Sequence, residues 1–359
     1  MKTLFFELVQ VAIGRRDALS RVPSAKEWRT LYGLSVKQAV AGVCFCGVQR
    51  LTNEQREKMP KELLMQWFAL AEQIRQRNEV MNRRCVEVQR MLAEEKMKCC
   101  ILKGQGIAQL YCNRLNVFRQ PGDIDVLVWK DNLTLSENKK EVVKYAKKIS
   151  QGAKSIEHHI EVPLFKDGVV EFHYKSAYLS NPINNKCLQV WLRNNLGTSV
   201  DSNLLIVPDF NYNVIFLLVH AYRHYVSEGL GLRHVMDYYM LLNSVESINS
   251  KEIEKTFKKL GLIRFASGLM WILQTVFKMP FANFVCKADE KLGQSLLKDI
   301  MNGGNFGNYR SNMKSFKNLH VERFMIRIYR SFQLITYFPG EAIWSPLIMI
   351  KNYISARKK

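Results

Sequence analysis

Apolar residues recur at mixed three- and four-residue spacing through the first 97 positions and again from about 186, but not between. In the first region, "SAKEWRTLYGLSVKQAVAGVCFCGVQRL" has this texture. A longer amphipathic helix starts at Pro60, which suits a first helical turn. Its apolar side is Leu63, Leu64, Trp67, Leu70, Ile74, Val80, Val86, Val88 and Leu92. The opening "MKTLFFELVQVAIG" has the apolar length of a signal peptide. Glu7 and Gln10 interrupt it and no small-residue cleavage site follows, so an amphipathic first helix is expected. After Lys98 the elements shorten. "CCIL" is a brief β-like run, "KGQG" breaks it, "GIAQLYCNRL" predicts a helix of two to three turns, and "RQPGD" a turn before the strand "IDVLVW". "SENKKEVVKYAKKIS" predicts a helix with Ser136 as N-cap. "SIEHHIEVPLF" and "VVEFHY" predict two strands joined by the hairpin turn Lys166-Asp167-Gly168. Clear helical segments then return at 209–229, 232–245, 250–277 and 321–338. The fold class expected is α+β, with a helical region over 1–97, a small α/β unit over 98–180 and a second helical region over 181–359.

Composition adds bounds. Apolar content of 47% and charged content of 24% are those of an ordinary globular protein and exclude a disordered or low-complexity chain. No stretch approaches the roughly 18 uninterrupted apolar residues of a membrane helix, so no membrane span is expected. Eight cysteines carry no C-x-x-C spacing and several sit inside apolar runs. They read as thiols of a reducing compartment, hence cytoplasmic, without a zinc site. A net charge of +21 is compatible with a polyanionic partner or with a solvated basic surface. The same two readings hold for Arg323, Arg327 and Arg330, which share a stripe of the helix predicted near the C-terminus.

The chemistry concentrates around "RQPGDIDVLV". On a strand, Asp123 and Asp125 point to one side, with roughly 6–7 Å between their Cα atoms, while Ile124, Val126 and Val128 face the other. Two carboxylates there are either solvated turn acids or ligands of a hard divalent cation such as Mg²⁺ (or Mn²⁺). Three further features favour the cation. Gly104 and Gly106 let phosphate approach the backbone between a strand and a helix start. Lys103 adds a positive charge at that corner. Glu171 in "VVEFHY" projects from its strand with His173 beside it, and joins the pair if the two strands are neighbours. Three carboxylates opposite a glycine turn suit a metal-bound nucleoside triphosphate.

These residues resemble the signature of the DNA polymerase β-like nucleotidyltransferase superfamily: a glycine turn, D-x-D, and a third acid on a later strand. More narrowly, Lys103-Gly104, the run from Arg119 to Val128 and the Glu-x-His of Glu171 and His173 resemble a bacterial family of uncharacterised nucleotidyltransferases. The likeness extends to "LLVHAYRHY", "GLRHVMDYYMLL" and "NGGNFG". It implies a small mixed β-sheet nucleotidyltransferase core flanked by the N- and C-terminal helical regions. It also implies metal-dependent transfer of a nucleoside monophosphate from an NTP, ATP first among them, to an acceptor. By the same likeness Asp123, Asp125 and Glu171 bind metal and act in catalysis, and Lys103, Gly104, Gly106 and Arg119 hold the nucleotide. The turn departs from the superfamily's Gly-Ser: Lys-Gly-Gln-Gly has no hydroxyl, which leaves open a catalytically inactive nucleotide- or nucleic-acid-binding module on the same fold. A small molecule, an RNA or a protein would each serve as acceptor.

Other candidates have two readings each. Arg119 either contacts phosphate or acceptor, or pairs with Asp123 or Asp125. His173 orients Glu171 or is structural. One of His158 and His159 must face inward. His220 and His224 have helical i, i+4 spacing, as do Arg233 and Asp237, which are expected to pair. With His173, these four are the expected cleft residues if the helical region closes over the acids.

Overall fold

A computed structural model describes residues 1–112, 114–156, 158–201, 204–309 and 319–357, without the side chains of 319–323 and 352–357. The N-terminal elements are α1 (Lys2–Ala12), α2 (Ala25–Lys37), α3 (Ala41–Arg50), α4 (Asn53–Arg56) and α5 (Lys61–Glu94). Then follow β1 (Lys98–Ile101), α6 (Lys103–Ala108), β2 (Ile124–Trp129), α7 (Leu135–Ile149), β3 (Lys154–Ser155), β4 (His159–Phe165) and β5 (Gly168–His173). The rest is α8 (Pro182–Asn194), β6 (Thr198–Val200), β7 (Ile206–Pro208), α9 (Phe210–Ser227), α10 (Leu232–Leu242), α11 (Ser250–Lys259), α12 (Ile263–Phe277), α13 (Glu290–Gly303), α14 (Leu319–Leu334) and α15 (Pro339–Arg357). The architecture is α+β.

Five strands form one sheet in the order β1-β2-β5-β4-β3. It is mixed: β2 and β5 run parallel, and the other pairs are antiparallel. The sheet separates two cores because strand side chains alternate. Cys99, Ile101, Ile124, Val126, Val128, Val170 and Phe172 pack against the second half of α5 and against α7. Cys100, Leu102 and Leu127 face the larger core, which draws together residues of α1, α3, α9, α10, α12 and α13. The Gln10 side chain of α1 donates to the Val276 carbonyl of α12 at 2.9 Å. Glu7 is buried and accepts from the Ser20 backbone and hydroxyl, both at 2.9 Å. The two polar residues of the first helix thus face inward as satisfied anchors, and α1 is buried nearly all round rather than along one stripe.

Several boundaries differ from the sequence pattern. The N-cap of α7 is Thr134, not Ser136, because Thr134 and Glu137 close a capping box. The helix predicted from "GIAQLYCNRL" ends at Ala108; Arg114 adopts a left-handed conformation (φ 64°), which no continuous helix accommodates. The segment predicted helical over 250–277 divides at Gly261, whose φ of 71° separates α11 from α12. The β6–β7 hairpin, α13 and α15 were not expected as elements, although α13 buries Leu292, Leu296, Leu297, Ile300 and Met301 at helical spacing. Arg330 does not join an exposed basic stripe: it is fully buried, donating to the carbonyls of Tyr225 and Val226 and pairing with Asp299 at 3.2 Å. The side chain of Arg323 lies outside the described residues. Among the described residues, no helix is long and apolar enough to cross a membrane.

Candidate active site

The parallel pairing of β2 with β5 sets Asp125 opposite Glu171. The next strand continues the row, since Glu171 also faces Glu161 on β4. Asp125 is buried, where a bare carboxylate is costly. Lys103 Nζ reaches its Oδ1 at 3.0 Å and His173 Nε2 at 2.9 Å. His173 Nε2 also lies 3.1 Å from Glu171 Oε2. Burial pushes the Asp125 titration up, but the Lys103 ammonium and His173 outweigh it and hold the carboxyl well below the usual range. For His173, burial favours the neutral ring, yet the hydrogen bonds to Asp125 and Glu171 prevail and raise its affinity for a proton.

Asp123 sits just before β2 and stays exposed. Partial desolvation, then the charges of Asp125 and Glu171, push its carboxyl above the ordinary Asp value, against Lys103 and Arg233. Asp123 therefore feels both other carboxylates, which is the electrostatic setting that a divalent cation relieves. One ligand atom each from Asp125, Glu171 and His173 lies within 4.8 Å of the others. The donor set fits a metal.

A cleft of about 280 Å³ opens over the acids. Lys103, Gly104, Asp123 and Asp125 form one wall; His220, Arg233, His234, Asn305 and Phe306 from the helical region face them. Glu171 is not on this wall and joins through His173. Lys103 and Gly104 both have positive φ, 23° and 45°, in the tight turn after β1. Gly106 does not reach the cleft: a Cβ there would lie 2.4 Å from the Ile101 carbonyl oxygen, so its smallness lets α6 close onto β1. Because α6 is six residues long and broken at Gly104, it offers no extended helix terminus to an anion. Cations at this corner come from side chains.

Arg119 is paired with neither Asp123 nor Asp125. It is buried and bidentate on Asp237, Nε to Oδ1 at 2.7 Å and Nη2 to Oδ2 at 2.8 Å. The Tyr111 hydroxyl donates to the same Oδ1 at 2.6 Å. Arg233, expected to pair with Asp237, instead donates to the Gln120 carbonyl at 3.1 Å. Its burial is the main influence lowering its titration, to about 10. His224 lies behind the cleft wall, against Glu228 at 3.5 Å. Gln120, Gly122, His234, Asn305 and Phe306 are cleft residues that the site reading missed. The "NGGNFG" stretch was a signal for the last two. The "GLRHVMDYYMLL" stretch was the same kind of signal for His234, but its cleft position depends on how α9 and α10 cross. A larger cavity, about 780 Å³, lies elsewhere along β2, bordered by Trp129, Tyr174 and Tyr212, and among the described residues Asp131 is the single carboxylate that lines it.

Residues 24–278 match the protein family described as "Uncharacterised nucleotidyltransferase". The chain belongs to this nucleotidyltransferase family. The match spans most of the chain, from α2 through the sheet to α12, and includes both walls of the cleft except Asn305 and Phe306. No curated protein matches the chain.

Proposed function

We propose that this nucleotidyltransferase moves a nucleoside monophosphate from an NTP, ATP by preference, to an acceptor, releasing pyrophosphate. The observation that carries this reading is the β2–β5 register, which places Asp125 beside Glu171 with Asp123 exposed at the strand's mouth. Asp123, Asp125 and Glu171 would hold Mg²⁺ or Mn²⁺, which supplies charge neutralisation for the phosphate oxygens. Lys103 and Arg233 supply positive charge from opposite sides of the cleft, and Gly104 lets the turn close. Glu171 orients the acceptor hydroxyl or phosphate and takes its proton where it carries one. The acceptor oxygen forms a bond to the α-phosphorus as the bond from that phosphorus to the bridging oxygen breaks, and the electron pair leaves with pyrophosphate past the Lys103–Gly104 turn. Arg119 and Asp237 line the base of the cleft and pair with each other there, tying its two walls together.

Two observations favour a second reading, a non-catalytic nucleotide-binding module. Lys103 and His173 already engage Asp125 Oδ1, and the turn has no hydroxyl. The deciding experiment is isothermal titration of Mg²⁺-ATP, with GTP, CTP and UTP in parallel, into the wild type and an Asp123→Ala/Asp125→Ala variant. Metal-dependent binding that the variant loses supports the three-acid site. Nucleotide binding that is indifferent to metal and to the variant supports the module. A folded wild type that binds no nucleotide overturns both.

A further inference from the structure

Six of the chain's seven histidines lie in two clusters, and one of them meets the nucleotide site through His173. His173 on β5 is paired directly with His159 on β4, and His158 precedes it. The three rings crowd together, with centroids 4.4 Å apart for His158–His159, 4.9 Å for His159–His173 and 5.6 Å for His158–His173. One ring nitrogen from each lies within 4.8 Å of the others.

Their nitrogens are unusual. His159 is buried and neither Nδ1 nor Nε2 has a hydrogen-bond partner among the described residues. Its Nε2 is 3.6 Å from Glu171 Oε1 and 3.9 Å from Glu161 Oε1, beyond hydrogen-bond reach. His158 Nδ1 and His173 Nδ1 are buried and unpartnered as well. Buried polar atoms are nearly always paired, so four orphaned ring nitrogens in one spot call for an occupant.

We infer that His158, His159 and His173 form a second cation site, centred on His159, that takes a borderline transition metal of the Zn²⁺ type rather than Mg²⁺. Imidazole nitrogens suit Zn²⁺, Co²⁺ and Ni²⁺, whereas the carboxylate row beside them suits hard cations. Zn–N bonds of about 2.0–2.1 Å set ligand nitrogens about 3.4 Å apart, which a small rotamer adjustment of these rings achieves. His173 has the right division of labour: Nε2 faces Asp125 and Glu171, leaving Nδ1 for the metal. Carboxylates commonly brace metal-binding histidines in this way. A metal there would bind whether or not the carboxylates serve nucleotidyl transfer.

The test uses the tag-free full chain and Co²⁺ as a visible stand-in for Zn²⁺. One equivalent of Co²⁺ is expected to give absorption bands in the visible that Zn²⁺ abolishes. His158→Gln/His159→Gln should weaken Co²⁺ binding more than about 100-fold, while Asp123→Asn retains it. If the double variant misfolds by circular dichroism, the half-buried His158→Gln alone serves, with a weakened and blue-shifted Co²⁺ spectrum expected. Wild-type protein that takes up no Co²⁺ or Zn²⁺ at micromolar concentration, or histidine variants that bind as the wild type does, would overturn the site.

Discussion

Asp125 is the residue on which the most interactions converge: Lys103 and His173, a carboxylate neighbour on β5, and a place on the cleft wall. Under the proposed mechanism, Asp125→Asn keeps the shape and removes the charge. Nucleotidyl transfer should fall by about 100-fold or more, the scale of losing one preorganised electrostatic group; pyrophosphate release assays read this directly. Gly106 matters for a different reason. In Gly106→Ala the new Cβ meets a backbone carbonyl, which has no rotamer to escape into. A loss of about 1–3 kcal/mol in urea denaturation is expected, with nucleotide affinity affected only as far as the β1 turn shifts.

At the scale of elements, the decisive contact joins the turn before β2 to α10. Arg119, Asp237 and Tyr111 form a buried network in which every named contact is between segments more than a hundred residues apart. Asp237→Asn leaves a buried guanidinium without its counter-charge, and should destabilise the fold by about 3–5 kcal/mol, measured as a lowered urea midpoint. Arg119→Lys cannot restore the fork and should remain destabilised. The hairpin turn is anchored similarly, since Arg77 and Arg84 of α5 both pair with Asp167. These contacts tie the strand ends, and with them Asp125 and Glu171, to long helices.

Across the molecule, histidine burial sets the response to acid. His158, His159, His220, His224 and His234 are all held below the ordinary histidine range, burial being the first cause in each. Below about pH 6.5 the unfolded chain protonates these rings and the folded protein does not, so acid favours unfolding by up to about 1.4 kcal/mol per pH unit for each ring. His173 works in the other sense: its raised value stabilises the fold below about pH 6.5, and this contribution is lost as pH rises through its folded value. Five rings against one predict a net loss of stability between pH 6.5 and about 4, where His159 titrates. Urea midpoints at pH 7.5 and 5.5 check it; a higher midpoint at 5.5 would contradict these burials. Within this window His173→Gln should lower the midpoint further at pH 5.5 than at 7.5.

Local pattern was enough for the α+β order, for the strand carrying Asp123 and Asp125, for the hairpin carrying Glu171, and for the family likeness. Each rests on signals within a few residues: alternation on a strand, a glycine turn, a Pro at a helix start. What needed the tertiary structure was every pairing across distance. Arg119 as the partner of Asp237, Gly106 as a packing site, Arg330 as a buried anchor and His159 at the centre of a histidine cluster depend on which strand lies beside which and how helices cross. Sequence neighbours share a local conformation, but a buried charge or imidazole takes its meaning from whatever the fold brings within a few ångströms of it.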